Sequence, residues 1–310
     1  MSERRADGER GFLEWTGGLL EGKMTVVFGD LLQTVVGTLE MSRSWVVGPT
    51  HRDLTYAEVD GKELCLNLYR PFWKENCPLL IYLHGGGWSA GSYKESGVSW
   101  LTGYGFAVAS VQYRLSGEAT FPAQVYDVKA AIRWLRAHAS ELGFDAERIG
   151  AVGVSSGGHL AMMAGLVGDE LEGEVGDFQK ESSHVDVMVN YFGASDFILR
   201  SQTQPGATEP TGSVVHKLLG KAVSEDEKLA KLASPAFHVK QGSPPLFVIH
   251  GAKDTQVKVD QAYRISERYR ECGGELEMEV LAESGHGGAE FFRRGLRSQV
   301  SGFLSRHLKD

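Results

Sequence analysis

Ile149-Gly150-Ala151-Val152-Gly153-Val154-Ser155-Ser156-Gly157-Gly158-His159-Leu160-Ala161 is the stretch whose reading decides the fold. Its first half is almost wholly apolar, as expected of a strand covered on both faces. Its second half reads as the opening of a helix, and the pattern G-x-S-x-G lies between them. A serine thrust out on so tight a strand-to-helix turn strains its backbone. Side chains two residues to either side would collide, and glycine relieves both collisions. That requirement separates two adjacent serines. Ser155 has Gly153 and Gly157 at those positions, whereas Ser156 has Val154 at −2. Ser155 is therefore the expected nucleophile.

Outward from this stretch, extended runs alternate with helical ones. Strands are expected over 54–59, 63–69, 79–84, 106–113, 148–154, 185–192, 246–250 and 276–281. A helix opens at Pro122, a favoured first position. It carries the stripe Val125, Val128, Ile132, Leu135 and Leu142, and Gly143 stops it. A last helix places Phe292, Leu296, Val300, Phe303 and Leu304 on one face. This alternation predicts an α/β fold, with a mainly parallel sheet and helices on both faces. Residues 1–50 look different. Val27, Leu31, Val35 and Leu39 repeat every four residues, which predicts a helical segment, either packed or serving as a cap over a ligand site. The polar stretch 201–213 reads as a mobile loop, followed by a charged helix near 224–232. The expected organisation is one domain over 51–310, with a cap-like insertion at about 195–235.

Composition narrows the classes. The chain has 39 glycines in 310 residues, well above the roughly 7% usual for proteins. No collagen period accompanies them, and 42% hydrophobic residues exclude an uncollapsed chain. A net charge of −8 without a long basic run argues against a nucleic-acid partner. Cys65, Cys77 and Cys272 form no CxxC pair, so neither a disulfide framework nor a zinc site is implied. The longest early apolar run, 31–39, falls short of the ~20 residues of a membrane span. No membrane span and a cytoplasmic location are expected.

A nucleophilic serine needs a base and an anion site. Leu83-His84-Gly85-Gly86-Gly87-Trp88 follows an expected strand, and its consecutive glycines can turn backbone N–H groups towards an oxyanion. A phosphate loop would need spacings this segment lacks. Trp88 is either a pocket wall or packing. The partners should follow the serine as acid and then histidine. His286 in Ser284-Gly-His-Gly-Gly288 lies between the last strand and the last helix and is the expected base. His250 closes a strand and reads as a packed core group. Asp254, in the loop after the strand 246–250, is the expected acid. Asp196, after the strand ending near 192, is its rival.

With these segments in place, the chain resembles α/β-hydrolases of the carboxylesterase type. The likeness is to the bacterial feruloyl/acetyl-esterase (BD-FAE-like) group and to hormone-sensitive-lipase-like relatives. The resemblance rests on His84–Trp88 with Gly91-Ser92, Gln112–Leu115 leading to Phe121-Pro-Ala123 and Asp127, Gly153–Ala161, Ser234-Pro-Ala236, Pro245–Asp254 and Gly285-His-Gly287. It implies oxyanion donors at the N–H groups of Gly86, Gly87 and Ser156. His84 would brace the loop, Asp127 would be structural and His159 would pack in the nucleophile helix. It further implies hydrolysis of small-molecule esters of short acyl or aryl type through an acyl-enzyme, with no metal and no cofactor. The chain departs from hormone-sensitive-lipase relatives at Val154-Ser155-Ser156 and at Lys253. An arylformamidase with the same three residues is the alternative, and a non-catalytic receptor on this fold would have lost one of them.

Overall fold

The computed structural model describes residues 48–167, 171, 173 and 175–309. The helical segment expected over 1–50 lies, but for its last three positions, outside the described residues. Among them, eight strands form one sheet: β1 (His51–Val59), β2 (Lys62–Tyr69), β3 (Cys77–Leu83), β4 (Ala107–Val111), β5 (Phe144–Val154), β6 (Val187–Tyr191), β7 (Leu246–Gly251) and β8 (Leu276–Leu281). Their order is β1-β2-β4-β3-β5-β6-β7-β8. The first two pairings are antiparallel, and every pairing from β4 to β8 is parallel. All eight expected strands are present, on the mainly parallel sheet that the alternation of elements implied.

The pleat sorts side chains to two cores. In β3 every residue is buried. Leu79, Ile81 and Leu83 enter one core with Val125, Ile132, Leu160 and Ile265, while Leu80 and Tyr82 enter the other with Val300, Phe303 and Leu304. Successive residues of a strand point to opposite faces, so a strand covered twice is apolar throughout. The three longest helices that meet the first core are α1 (Ala123–Ala137), α3 (Ser156–Leu166) and α7 (Asp260–Glu271). The C-terminal helix α8 (Arg294–Leu308) packs on the second.

Three local expectations need correction. The helix opened at Pro122 does not run unbroken to Gly143. It stops at Ala137, and a single turn, α2 (Ala139–Leu142), follows. At the break, the His138 ring takes the Trp134 carbonyl at 2.8 Å and stacks on the Trp134 ring. Gly143 does end the run, at φ +73°, where a side chain is disfavoured. Phe292 belongs to a 3₁₀ turn ahead of α8. The stretch 201–213 is not one loop. Between β6 and β7 the chain forms α4 (Phe197–Thr203), a 3₁₀ turn at Pro205–Ala207, α5 (Val214–Leu219) and α6 (Glu227–Leu232). Asp196, Ser213 and Asp226 cap these short helices through their side chains, each satisfying an otherwise orphaned N–H.

Candidate active site

The carboxyl ends of β3, β5, β7 and β8 all open on one edge of the sheet, which is where open α/β sheets place ligands. Val154 ends β5, and Ser155 follows with φ +53° and ψ −120°. A non-glycine residue in that region is strained and is held only by its surroundings. Here the hold is a 2.8 Å bond from Ser155 N–H to Tyr191 O, with His159 N–H bonding Ser155 O at 3.1 Å. The flanking glycines are sterically obligatory. A Cβ on Gly153 would strike the Gly157 carbonyl, and one on Gly157 would strike the Leu83 carbonyl at the end of β3. The spacing noticed in the sequence is thus the footprint of three backbones converging on one serine.

The loop after β3 folds back tightly. Gly86 O accepts from Ser89 N–H at 3.2 Å and Ala90 N–H at 3.0 Å, and a Cβ on Gly86 (φ +127°) would enter the Ala90 carbonyl. The His84 ring bonds Gly85 O at 2.8 Å and stacks on Tyr113, whose hydroxyl donates to His84 O. A Cβ on Gly85 would stand 3.3 Å from Ser155 Cβ, so this loop lies directly against the serine. Among the loop and turn contacts of the described residues, Gly86, Gly87 and Ser156 donate their N–H to no other backbone group.

Ser155 Oγ lies 2.8 Å from His286 Nε2, and His286 Nδ1 lies 2.6 Å from Asp254 Oδ2. The Asp254 side chain is wholly buried. Its Oδ1 accepts the N–H groups of Gln256 and Val257, each at 2.9 Å, and His250 Nε2 stands 3.3 Å from Oδ2. Burial alone would raise this carboxyl. The hydrogen bonds from His250, His286 and Val257 outweigh it and hold the group well below the usual carboxylate range. Asp254 is therefore an anion at any working pH, and an anion on Nδ1 fixes that nitrogen as the protonated one, leaving Nε2 free to accept from Ser155. The edge of the Phe192 ring contacts the His286 ring, with centroids 4.8 Å apart.

Asp196, the rival acid, serves elsewhere. It caps α4 by accepting Leu199 N–H at 2.9 Å and receives Arg264 Nε at 3.0 Å. Trp88 is almost fully buried. Its Nε1 donates to His159 Nδ1 at 3.2 Å, and the ring meets His159 and Phe197 edge-on. It also borders a cavity of about 600 Å³ that Gly87, Ser155, Ser156 and His286 line. Trp88 is thus packed in the core and also borders the cavity. His159 bonds Ala233 O through Nε2 at 2.7 Å, and burial pulls its pKa down to about 4.

Sequence reasoning missed two neighbours. His250 is a packed core group, as expected, but it also touches Asp254, and four-residue spacing was its one signal. Arg200, between the apolar Phe197-Ile198-Leu199 and the polar stretch 201–213, borders the cavity and was not singled out.

Comparison with known proteins follows this geometry. The BD-FAE family model matches residues 66–269, about two-thirds of the chain. The chain belongs to the BD-FAE family. Its fold is that of the α/β-hydrolases, as the resemblance implied. Esterase LipC of Mycobacterium tuberculosis is 31% identical over 217 residues, 68% of this chain and 53% of LipC. The chain spans about half the length of the curated relatives it matches first. Among solved structures, a truncated carbohydrate esterase from gut microbiota superposes with a TM-score of 0.77 at 29% identity, over 84% of this chain and 99% of that one. The Est2 esterase of Thermogutta terrifontis, solved with propionate bound, gives 0.66 at 26% identity over 84% and 93%. The BD-FAE match ends before His286, so that residue's place rests on geometry. Among the described residues no helix is long and apolar enough to cross a membrane.

Proposed function

We propose that the protein hydrolyses carboxylic esters of small molecules through an acyl-enzyme on Ser155. The observation that carries this reading is the unbroken hydrogen-bonded chain from Ser155 Oγ through His286 to buried Asp254. In the first step Ser155 Oγ attacks the ester carbonyl while His286 Nε2 takes its proton. Asp254 holds the ring in the required tautomer and stabilises the imidazolium. The carbonyl oxygen becomes an oxyanion facing the N–H groups of Gly86, Gly87 and Ser156, where one donor is worth a factor of about 10²–10³ in rate. His286 then protonates the departing alkoxide, and the alcohol leaves. Water, deprotonated by the same ring, attacks the acyl-enzyme; collapse releases the acid and returns the proton to Ser155.

Short acyl groups suit the site best. The similar Est2 esterase was solved with propionate bound, and Val214 approaches the position of a Gly87 Cβ to 3.3 Å, crowding the loop side of the cavity. The names of the relatives speak for esters over formamides. A fluorophosphonate probe tests the reading. The intact protein is expected to be labelled, and Ser155→Ala is not. Absence of labelling in the intact protein would overturn the proposal. Across p-nitrophenyl acetate, butyrate and octanoate, the rate is expected to fall with chain length, and a maximum at octanoate would overturn the short-acyl preference.

A further inference from the structure

Arg200 borders the same cavity as Ser155 and His286, yet none of the steps above uses it. It sits on α4 with only 3% of its surface exposed. Nη2 donates to Gln256 O at 2.8 Å, while Nε is shut off from solvent with no hydrogen-bond partner among the described residues. Asp254 and Asp260 favour its charge from a distance without hydrogen-bonding it. Burial lowers its pKa to about 10, so the guanidinium is a cation at neutral pH.

The rest of the lining sharpens this. Among the described residues around the cavity there is no aspartate or glutamate, and no lysine or second arginine. On a chain of net charge −8, that sign is set locally and not by the overall charge. The nearby Gln204 amide is already committed, donating to Thr255 O at 2.9 Å and accepting Lys258 N–H at 3.0 Å. The apolar side chains of Ala194, Ala207, Val214 and Val257 also border the cavity. A buried guanidinium with no carboxylate hydrogen-bonded to it keeps donors unmatched at a cost, and the partner that matches its fork is a carboxylate. We infer that Arg200 sets the specificity of this cavity, which takes an ester that also carries a carboxylate. The carboxylate would sit on the guanidinium while the ester carbonyl meets Ser155. A monoester of a short dicarboxylic acid has this form. The inference rests on the esterase reading for turnover but not for binding.

The test uses two esters of equal chain length, monomethyl glutarate and methyl valerate. Calorimetry on Ser155→Ala measures binding without turnover, and a pH-stat measures kcat/KM on the intact enzyme. The charged ester is expected to be favoured by about tenfold or more, the usual effect of a hydrogen bond to a charged group. Arg200→Met should remove that preference, and Arg200→Lys should restore part of it. Equal binding of the two esters to Ser155→Ala overturns the inference, whether or not the Arg200 variants fold. So does a preference that survives in Arg200→Met. A loss in Arg200→Met that is equal for both esters, with their ratio unchanged, would mark a purely structural arginine and also overturn it. Preferential binding without hydrolysis of either ester would remove the esterase reading and leave Arg200 standing. Hydrolysis without preference would do the reverse.

Discussion

Asp254 and Asp196 stand just beyond the ends of two neighbouring strands, and both are buried to within a few per cent of their surface. One faces two imidazoles and two backbone N–H groups. The other faces a guanidinium and the first turn of α4. Around Asp196, Gln261 Oε1 accepts the N–H groups of Ser195 and Asp196, Ser234 Oγ accepts Phe197 N–H, and His159 holds Ala233 O. These contacts tie the segment between β6 and β7 to α3 and α7. Two carboxylates of similar burial thus differ in what they hold: the first an imidazole that also meets Ser155, the second a guanidinium and the first turn of a helix.

The largest effect that could break this contrast is on turnover. Asp254→Asn keeps the shape of the side chain but can present an amide N–H to His286 Nδ1, which favours the wrong tautomer. Its kcat is expected to fall roughly 10⁴-fold, with the protein still folded by circular dichroism. Activity on p-nitrophenyl acetate within tenfold of wild type would show that Asp254 is not the orienting acid and return the role to Asp196.

The support region should reveal itself in stability against pH. His159 is wholly buried, with a pKa near 4 against about 6.5 when unfolded. Between those values the unfolded chain binds the proton and the folded one does not, so stability falls as pH drops from about 6.5 towards 4. At 1.36 kcal/mol per unit, this one group accounts for up to about 3 kcal/mol. His159→Asn should be weaker at pH 7, because Trp88 Nε1 and Ala233 O lose matched partners. It should also have a shallower acid slope in urea melts. An unchanged slope would mean that His159 is already protonated in the fold and that the Trp88 bond runs otherwise.

How much of this was legible in the sequence follows from what each part needs. The tight turn at Ser155 was legible because the close approach of Gly157 to Leu83 and of Gly153 to Gly157 admits no Cβ, and such a need leaves a fixed spacing. The strands were legible because both faces of the sheet are covered. The start of β5 was not. After Pro78 pairs with Asp145, the register jumps to Leu79 with Ile149, and the charged residues in that irregularity carry no period. Of the helices between β6 and β7, α6 was legible as the charged run near 224–232, whereas α4 and α5 are seven residues or fewer, too short for a stripe and held by caps and tertiary contacts. Arg200 was invisible for the same reason. A single arginine at the junction of an apolar triplet and a polar run looks solvated until the fold closes around it.

The smallest effect would sharpen the contrast from the other side. Asp196→Ala removes the cap on Leu199 N–H and leaves Arg264, still partly solvated, without that partner. Loss of a capping side chain costs about 1 kcal/mol, and the exposed share of the ion pair adds little. A fall of about 1–2 kcal/mol in urea unfolding is expected, with kcat on p-nitrophenyl acetate within tenfold of wild type per folded molecule. The two readouts must be taken together, because α4 also carries Arg200. A change in KM for a carboxylate-bearing ester at unchanged kcat would mean that Asp196 acts on the cavity wall through the helix it caps. A fall in kcat of a thousandfold or more in a folded variant would erase the distinction between the two carboxylates. Asp196 would then act on the proton chain, although its hydrogen bonds run to Arg264 and Leu199 and not to His286.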